Sequence, residues 1–326
     1  MWTDPMSGKR YPLADVLRLL CACAVVSIHL APEANIFTAC ISRQAVPFFF
    51  ITSGFFFSRK LEAAGDKRRF VLDFAKRIVW FYFAWTAILL PHTLAVYARL
   101  YQGRPLYIAF VLIRRIFLAG TEQFWYLLAL VEAALIAGLL LISGRERLLY
   151  GLGAAGFLLG VVYALELPFS LFRQYNRVVH ALFSWEYNFL MQGVPFFTLG
   201  ILLSRREPQA AVPGWLLLTG VSLWLYPVLP ELALILCPLQ AALLFGIGIR
   251  MKANPFVRKV SPYCRDVSAA VYCLHGLAAE YILGELIPWS ECYTVNCLAV
   301  IAVCSVLYAA VRIIGWKPLY RLITLQ

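Results

Sequence analysis

Apolar residues run in long blocks along this chain, broken by short polar segments. Ten blocks are long enough, or nearly so, to cross a bilayer core as helices: residues 13–32, 45–58, 71–96, 123–143, 149–167, 188–204, 213–229, 231–249, 266–287 and 293–313. The second is short for a span, so the pattern predicts a tilted, broken or partly extended passage there. A further piece, "LYIAFVLIRRIFLAG" (106–120), carries Arg114 and Arg115 near its centre. Two arginines there favour a helix that lies at the membrane interface or covers a cavity over one that crosses. The predicted fold is an all-α polytopic membrane protein, about ten transmembrane helices around a polar central cavity plus an interfacial amphipathic helix, forming a single membrane domain over 1–326.

Composition narrows the class in the same direction. Of 326 residues, 62% are hydrophobic and only 14% charged, and the mean hydropathy is +0.76. A soluble domain of this length needs more charged groups to cover its surface. Lys9 and Arg10 before an apolar run have the outline of a signal peptide, but Asp15 and Arg18 interrupt that run and no small-residue cleavage site follows, so it reads as the first span. The nine cysteines form no CxxC pair and no Cys/His ligand spacing, which predicts apolar filling and no metal. Cys292 and Cys297 are near enough in an outer loop to pair, although filling is the preferred role for them too.

Lys and Arg concentrate in alternate connecting segments, which sets the orientation: the protein is placed in the cytoplasmic membrane with both termini in the cytoplasm. The richest segment is "SRKLEAAGDKRRFVLDFAKR" (58–77). It reads either as a topology signal touching anionic headgroups or as a phosphate-binding mouth for a nucleotide-like cofactor. The net charge of +12 is accounted for by these inner segments, and no nucleic-acid-binding motif is present, so no nucleic-acid partner is predicted.

The first span carries chemistry. Arg18 and His29 are eleven residues apart, about 20° past three full helical turns, so they share one face roughly 16 Å apart. Asp15 is near the same face and could hold the Arg18 guanidinium; Glu33 is the one acid within a turn of His29. One reading is structural: Arg18 snorkels to headgroups and His29 bonds a neighbouring helix. Ser53 beside Gly54, Glu122, Gln123, Glu132 and His275 also sit at membrane depth, and together these groups favour the other reading, a polar interior cavity that does work. Gly54 either lets a cofactor arm pass or only allows close helix packing.

An arginine and then a histidine in the first span, followed in order by "AVPFFFITSGFFF", "KRIVWFYFAW", "GTEQFWYLLAL", "GVPFFTLGILL" and "RDVSAAVYCLHG", resembles the membrane acyltransferase family 3 along nearly the whole chain. Within that family the chain is most similar to the membrane domain that precedes the soluble racemase in vancomycin-resistance-type serine racemases, and it is expected to lack that soluble domain. The resemblance implies transfer of an acyl group, usually acetyl, from acyl-coenzyme A to a hydroxyl of a cell-envelope carbohydrate or peptidoglycan-related acceptor. It assigns His29 as general base, Arg18 as support for the coenzyme or for the histidine, and Lys76 and Arg77 as phosphate contacts. Ser53 and Gly54 are placed on the coenzyme path, and His275 is placed as a structural or cofactor-channel residue in the cytoplasmic half of its span. Glu122 would orient the acceptor hydroxyl or His29, while Trp125 and Tyr126 read as an interfacial belt. The chain departs from the racemase-linked pattern at Gln123, Leu128 and Asn188, where histidine, proline and arginine are expected, so the acceptor is left open. Two other classes stand beside this one: a transporter of serine or another small polar solute, which lacks a visible inverted repeat here, and a scaffold without chemistry, which Arg18 and His29 argue against. Oligomeric state and the choice between direct transfer and an acyl-enzyme are open.

Overall fold

The computed structural model describes residues 9–31, 35–166, 169–183, 187–206, 208, 210–283 and 290–325, and every regular element among them is helical. In order these are α1 (Pro12–Leu30), α2 (Ile36–Cys40), α3 (Ala45–Ala63), α4 (Lys67–Leu100), α5 (Pro105–Arg114), α6 (Trp125–Ile142), α7 (Glu146–Ala164) and α8 (Ser170–Phe183). Then follow α9 (Val194–Arg205), α10 (Val212–Leu225), α11 (Pro230–Arg250), α12 (Pro255–Leu277), α13 (Tyr293–Ile314) and α14 (Lys317–Thr324). Local chemistry sets many of the ends. Proline opens α1, α5, α10, α11, α12 and α14, where its missing N–H is no loss. Asn35, Asp66 and Asn254 cap α2, α4 and α12 by accepting from backbone N–H groups. Gly315, at φ +73°, ends α13 in the left-handed conformation that glycine adopts without strain.

Each of the ten predicted spans overlaps a helix among the described residues, but not all have the form the hydropathy pattern gives them. Seven stretches among the described residues are long and apolar enough to cross a membrane, and α9 and α10 are shorter apolar helices. Residues 45–58, expected to be tilted, broken or partly extended, are neither broken nor extended: they belong to the continuous helix α3, which runs on to Ala63. The basic stretch 58–77 is therefore mostly helical rather than a loop, since only residues 64–66 separate α3 from α4. The span expected at 266–287 begins eleven residues earlier, at Pro255; Arg258, Lys259, Arg265 and Asp266 lower the hydropathy of a helix that continues through them. The piece at 106–120 is α5 followed by a π-helical turn, Arg115–Ala119, closed by Gly120 at φ +81°. There Arg114 donates to the carbonyls of His180 and Ala181 in the last turn of α8, at 3.3 and 2.5 Å, satisfying acceptors that a helix end leaves open. All nine cysteines are free, including Cys292 and Cys297.

The described residues fall into two compact units, Met1–Arg59 with Gly200–Gln326, and Lys60–Leu199. In the first, α1 packs on α11, α12 and α13, while α10 packs on α11 and α14 on α12. Small residues permit the close approaches: Gly248 of α11 faces Ala14 of α1, and Gly200 of α9 lies against the Ile51 carbonyl of α3 with no room for a Cβ. In the second unit, α4 packs on α6, and α6 on α7. The start of α6 is fastened to α4 by a Trp85–Phe124 stack at 5.4 Å, a Thr86–Thr121 hydroxyl pair at 3.1 Å, and the Tyr82 hydroxyl donating to Ile116 O at 2.7 Å.

Candidate active site

In the first unit, α1, α12 and α13 meet through a core of small and β-branched residues: Ala22, Val26, Val271, Ala278, Cys297, Val300 and Cys304. Small side chains bring the three helices close without polar cost in hydrocarbon. Two polar contacts fix how α12 lies on α1. The Ser268 hydroxyl donates to the Arg18 carbonyl at 3.3 Å, and two turns further on the His275 ring comes to 5.1 Å from that of His29, centroid to centroid, tilted by 35°. Residue numbers rise together on the two helices, so they run in the same direction. His275 therefore belongs beside His29. Placement in the other half of its span follows from starting that span at residue 266, and the true start at Pro255 moves the histidine toward the far end of the helix.

The two imidazoles differ in setting. His275 is 3% exposed, and its Nδ1 donates to the carbonyls of Val271 and Tyr272 at 3.0 and 2.9 Å. Carbonyls only accept, so Nδ1 carries the proton and Nε2 of the neutral ring holds a lone pair. His29, in the last turn of α1, is exposed among the described residues. Near it, two residues back on α1, the hydroxyls of Ser27, Thr38 and Ser42 form a buried chain at 3.3 and 3.4 Å, which holds the connection from α1 to α3. The Trp215 indole N–H donates to the side-chain amide oxygen of Gln44 at 2.9 Å and fastens the same connection to α10.

Arg18 is half-buried on α1, and Asp15 lies within Coulombic range of Arg18, Arg265 and Asp266. Asp266, 7% exposed, is the better-fixed acid: it accepts from Arg265 Nε at 3.1 Å and from the Tyr320 hydroxyl at 2.7 Å. Glu33, the acid expected near His29, lies outside the described residues. Ser53 and Gly54 are buried within α3. Next to the first turn of α1, a cavity of about 480 Å³ opens between the N-terminal ends of α1 and α12 and the C-terminal end of α11. Lys9, Arg10, Arg250, Lys252, Arg258 and Arg265 line it against one carboxylate, Asp15.

The remaining candidates belong to the second unit. Lys76 and Arg77 are exposed on α4, Arg77 with its guanidinium 5.9 Å from the centre of the Phe74 ring and within Coulombic range of Lys60. Glu122 is exposed, adopts φ +42°, and lies 4.0 Å from Arg115. Trp125 and Tyr126 are half-buried, and Trp125 lies 5.4 Å from the Tyr187 ring. Among the described residues no group of three or more His, Cys, Asp or Glu is arranged to hold a metal ion. Sequence reasoning missed Asp266, Tyr320 and the cavity-lining basic residues. An "RD" pair inside a helix and a tyrosine on a short amphipathic segment at the end of the chain are the only local signals for the first two.

A helical fold of long apolar elements, with an exposed histidine set against a buried one, defines a polytopic all-α membrane protein. The chain matches the family model described as an acyltransferase domain, the acyltransferase 3 type, over residues 13–315. It belongs to that family, and is a membrane acyltransferase in that general sense. Among curated proteins, a serine/alanine racemase of Enterococcus gallinarum is 29% identical over 225 residues, covering 64% of this chain and 31% of the racemase. An amino-acid racemase of Enterococcus faecalis is 27% identical over 209 residues, covering 60% of this chain and 28% of its own length. The chain thus spans about a third of these relatives. No solved structure matches it.

Proposed function

We propose that this protein is a membrane-bound O-acyltransferase that moves an acyl group, acetyl in the first instance, from cytoplasmic acyl-coenzyme A to a hydroxyl of a cell-envelope carbohydrate or peptidoglycan-related acceptor. The observation that carries the reading is the accessible His29 paired with a buried His275 whose tautomer is fixed by two carbonyls. His29 takes the proton of the acceptor hydroxyl as its oxygen attacks the thioester carbonyl. The tetrahedral intermediate collapses, the C–S bond breaks, and the leaving thiolate recovers that proton, giving an ester and free coenzyme A. His275 holds the His29 ring in place. Arg18 stabilises the coenzyme on the same helix face three turns away, and Ser53 and Gly54 line the path of its arm. Lys76 and Arg77 draw the anionic coenzyme to the cytoplasmic surface.

Amino-acid racemases among the relatives favour one second reading, passage of serine or a similar small polar solute through the membrane. One experiment separates the two. Purified protein in sealed vesicles is supplied with labelled acetyl-coenzyme A and a cell-envelope fraction, and in parallel with labelled serine. Alkali-labile label in the envelope fraction, without serine uptake, is the expected result; serine accumulation without acetyl transfer overturns the acyltransferase reading.

A further inference from the structure

In the second unit, the end of α4 carries a polar group that the fold leaves unanswered. Tyr97 is 6% exposed, yet its hydroxyl has no hydrogen-bond partner among the described residues. A hydroxyl buried without a partner is costly, and one that is kept points to a ligand that answers it. Beside it is a second such group. Arg115, the first residue of the π-helical turn after α5, holds its guanidinium carbon 5.9 Å from the centre of the Tyr97 ring, and its Nε is likewise buried without an acceptor. Glu122 completes the set, with Oε1 4.0 Å from Arg115 Nη1 and its carboxylate within Coulombic range of Tyr97. At that distance the pair is too far apart to hydrogen-bond, so the carboxylate keeps its acceptor capacity.

Two donors and one acceptor select among ligands. A carboxylate or phosphate accepts from Tyr97 and Arg115 but meets Glu122 as a like charge, whereas an ammonium suits Glu122 and has no lone pair for the other two. An alcohol oxygen answers all three, since it accepts twice and donates once. The neighbouring rings add a second preference. Tyr101 lies 5.8 Å from Tyr97 and Tyr107 lies 5.0 Å from Tyr101, both edge to face, and Tyr107 is 46% exposed. Aromatic rings beside a hydroxyl-selective group match a pyranose, which presents C–H bonds on its face and hydroxyls at its edge. Depth agrees. Along α4, Tyr97 is twenty residues beyond Arg77, about 30 Å, the thickness of a hydrocarbon core. The group therefore lies at the membrane face opposite the basic stretch 58–77, which is the outer face on the orientation read from the charges.

We propose that Tyr97, Arg115 and Glu122 form a hydroxyl-reading site for a neutral sugar ring of an envelope glycan, with Tyr101 and Tyr107 as its aromatic wall. The site belongs to the second unit alone, and its choice of ligand rests on the glycan acceptor of the acyltransferase reading. It is tested on the full chain in phosphatidylcholine nanodiscs, with a soluble β-linked N-acetylglucosamine tetramer, a neutral mimic of a peptidoglycan strand, as probe. Tyr97→Phe, which removes only the hydroxyl, is expected to weaken tetramer binding by at least about fivefold, and Glu122→Gln by at least about tenfold. Because the Tyr97 hydroxyl has no protein partner to lose, the unfolding temperature of Tyr97→Phe stays at the wild-type value or rises, which separates ligand contact from lost fold. The control Tyr226→Phe, just after α10 in the first unit, changes binding by less than about twofold. A wild type that does not bind the tetramer, binding unchanged in both site variants, or an equal loss in the control overturns the site. So does loss of binding when phosphatidylglycerol replaces phosphatidylcholine, because the occupant is then a lipid phosphate. Acetyl transfer to the envelope fraction is followed on the same proteins. A wild type that transfers acetyl while the site fails in these ways keeps the acyltransferase reading. Tetramer binding that depends on Tyr97 and Glu122 in a protein that transfers no acetyl keeps the site and removes that reading.

Discussion

His29 and His275 have the same side chain and differ in what surrounds them. Two carbonyls of its own helix lock His275, whereas His29 is exposed among the described residues. The relation between Arg18 and His29 was legible in the sequence, because it lies in the spacing of one helix. The relation between His29 and His275 was not: a hydropathy window stops at the charged residues before Asp266 and misplaces the start of α12, and with it the depth of everything on that helix. The contact between Ser268 and Arg18 spans 250 residues of chain, beyond the reach of any local pattern. The positioning role of His275 can be read directly. His275→Asn keeps an N–H where Nδ1 donates and removes the ring beside His29; it should lower kcat about 10- to 100-fold while the KM for acyl-coenzyme A stays near the wild-type value. Equal changes in both parameters, or none, would show that the ring does not position the base.

At the level of elements, every long apolar block became a helix, because in hydrocarbon each backbone group must be bonded within its own segment. What the blocks concealed were short amphipathic helices. In α8 and α14, polar and apolar residues alternate around the helix and average to near-neutral hydropathy, so a scan tuned to spans passes over them. They are not accessory. Helix α14 supplies Tyr320, whose hydroxyl donates to the nearly buried Asp266. Tyr320→Phe removes that donor from the carboxylate and should cost about 1–3 kcal/mol, seen as a lower unfolding temperature in detergent. Close packing makes a second demand on the elements. At Gly200 any Cβ collides with the Ile51 carbonyl, a backbone atom that cannot rotate aside. Gly200→Ala should therefore destabilise by about 1–3 kcal/mol, and wild-type stability in that variant would show that α9 and α3 are not so tightly joined.

On the scale of the whole molecule, the family match runs from residue 13 to 315 and so takes in both compact units. Arg18, His29, Ser53, Gly54 and His275 belong to one unit and Lys76, Arg77 and Glu122 to the other. Chemistry at His29 is the claim on which the rest depends, and one rate measures it. Wild type and His29→Ala are reconstituted in vesicles with saturating acetyl-coenzyme A and an envelope fraction, and release of coenzyme A thiol is followed together with acetyl-coenzyme A affinity and thermal unfolding. The account predicts that turnover falls at least about 100-fold in the variant while affinity and unfolding temperature stay near wild type. Turnover close to wild type in a folded His29→Ala protein would contradict it.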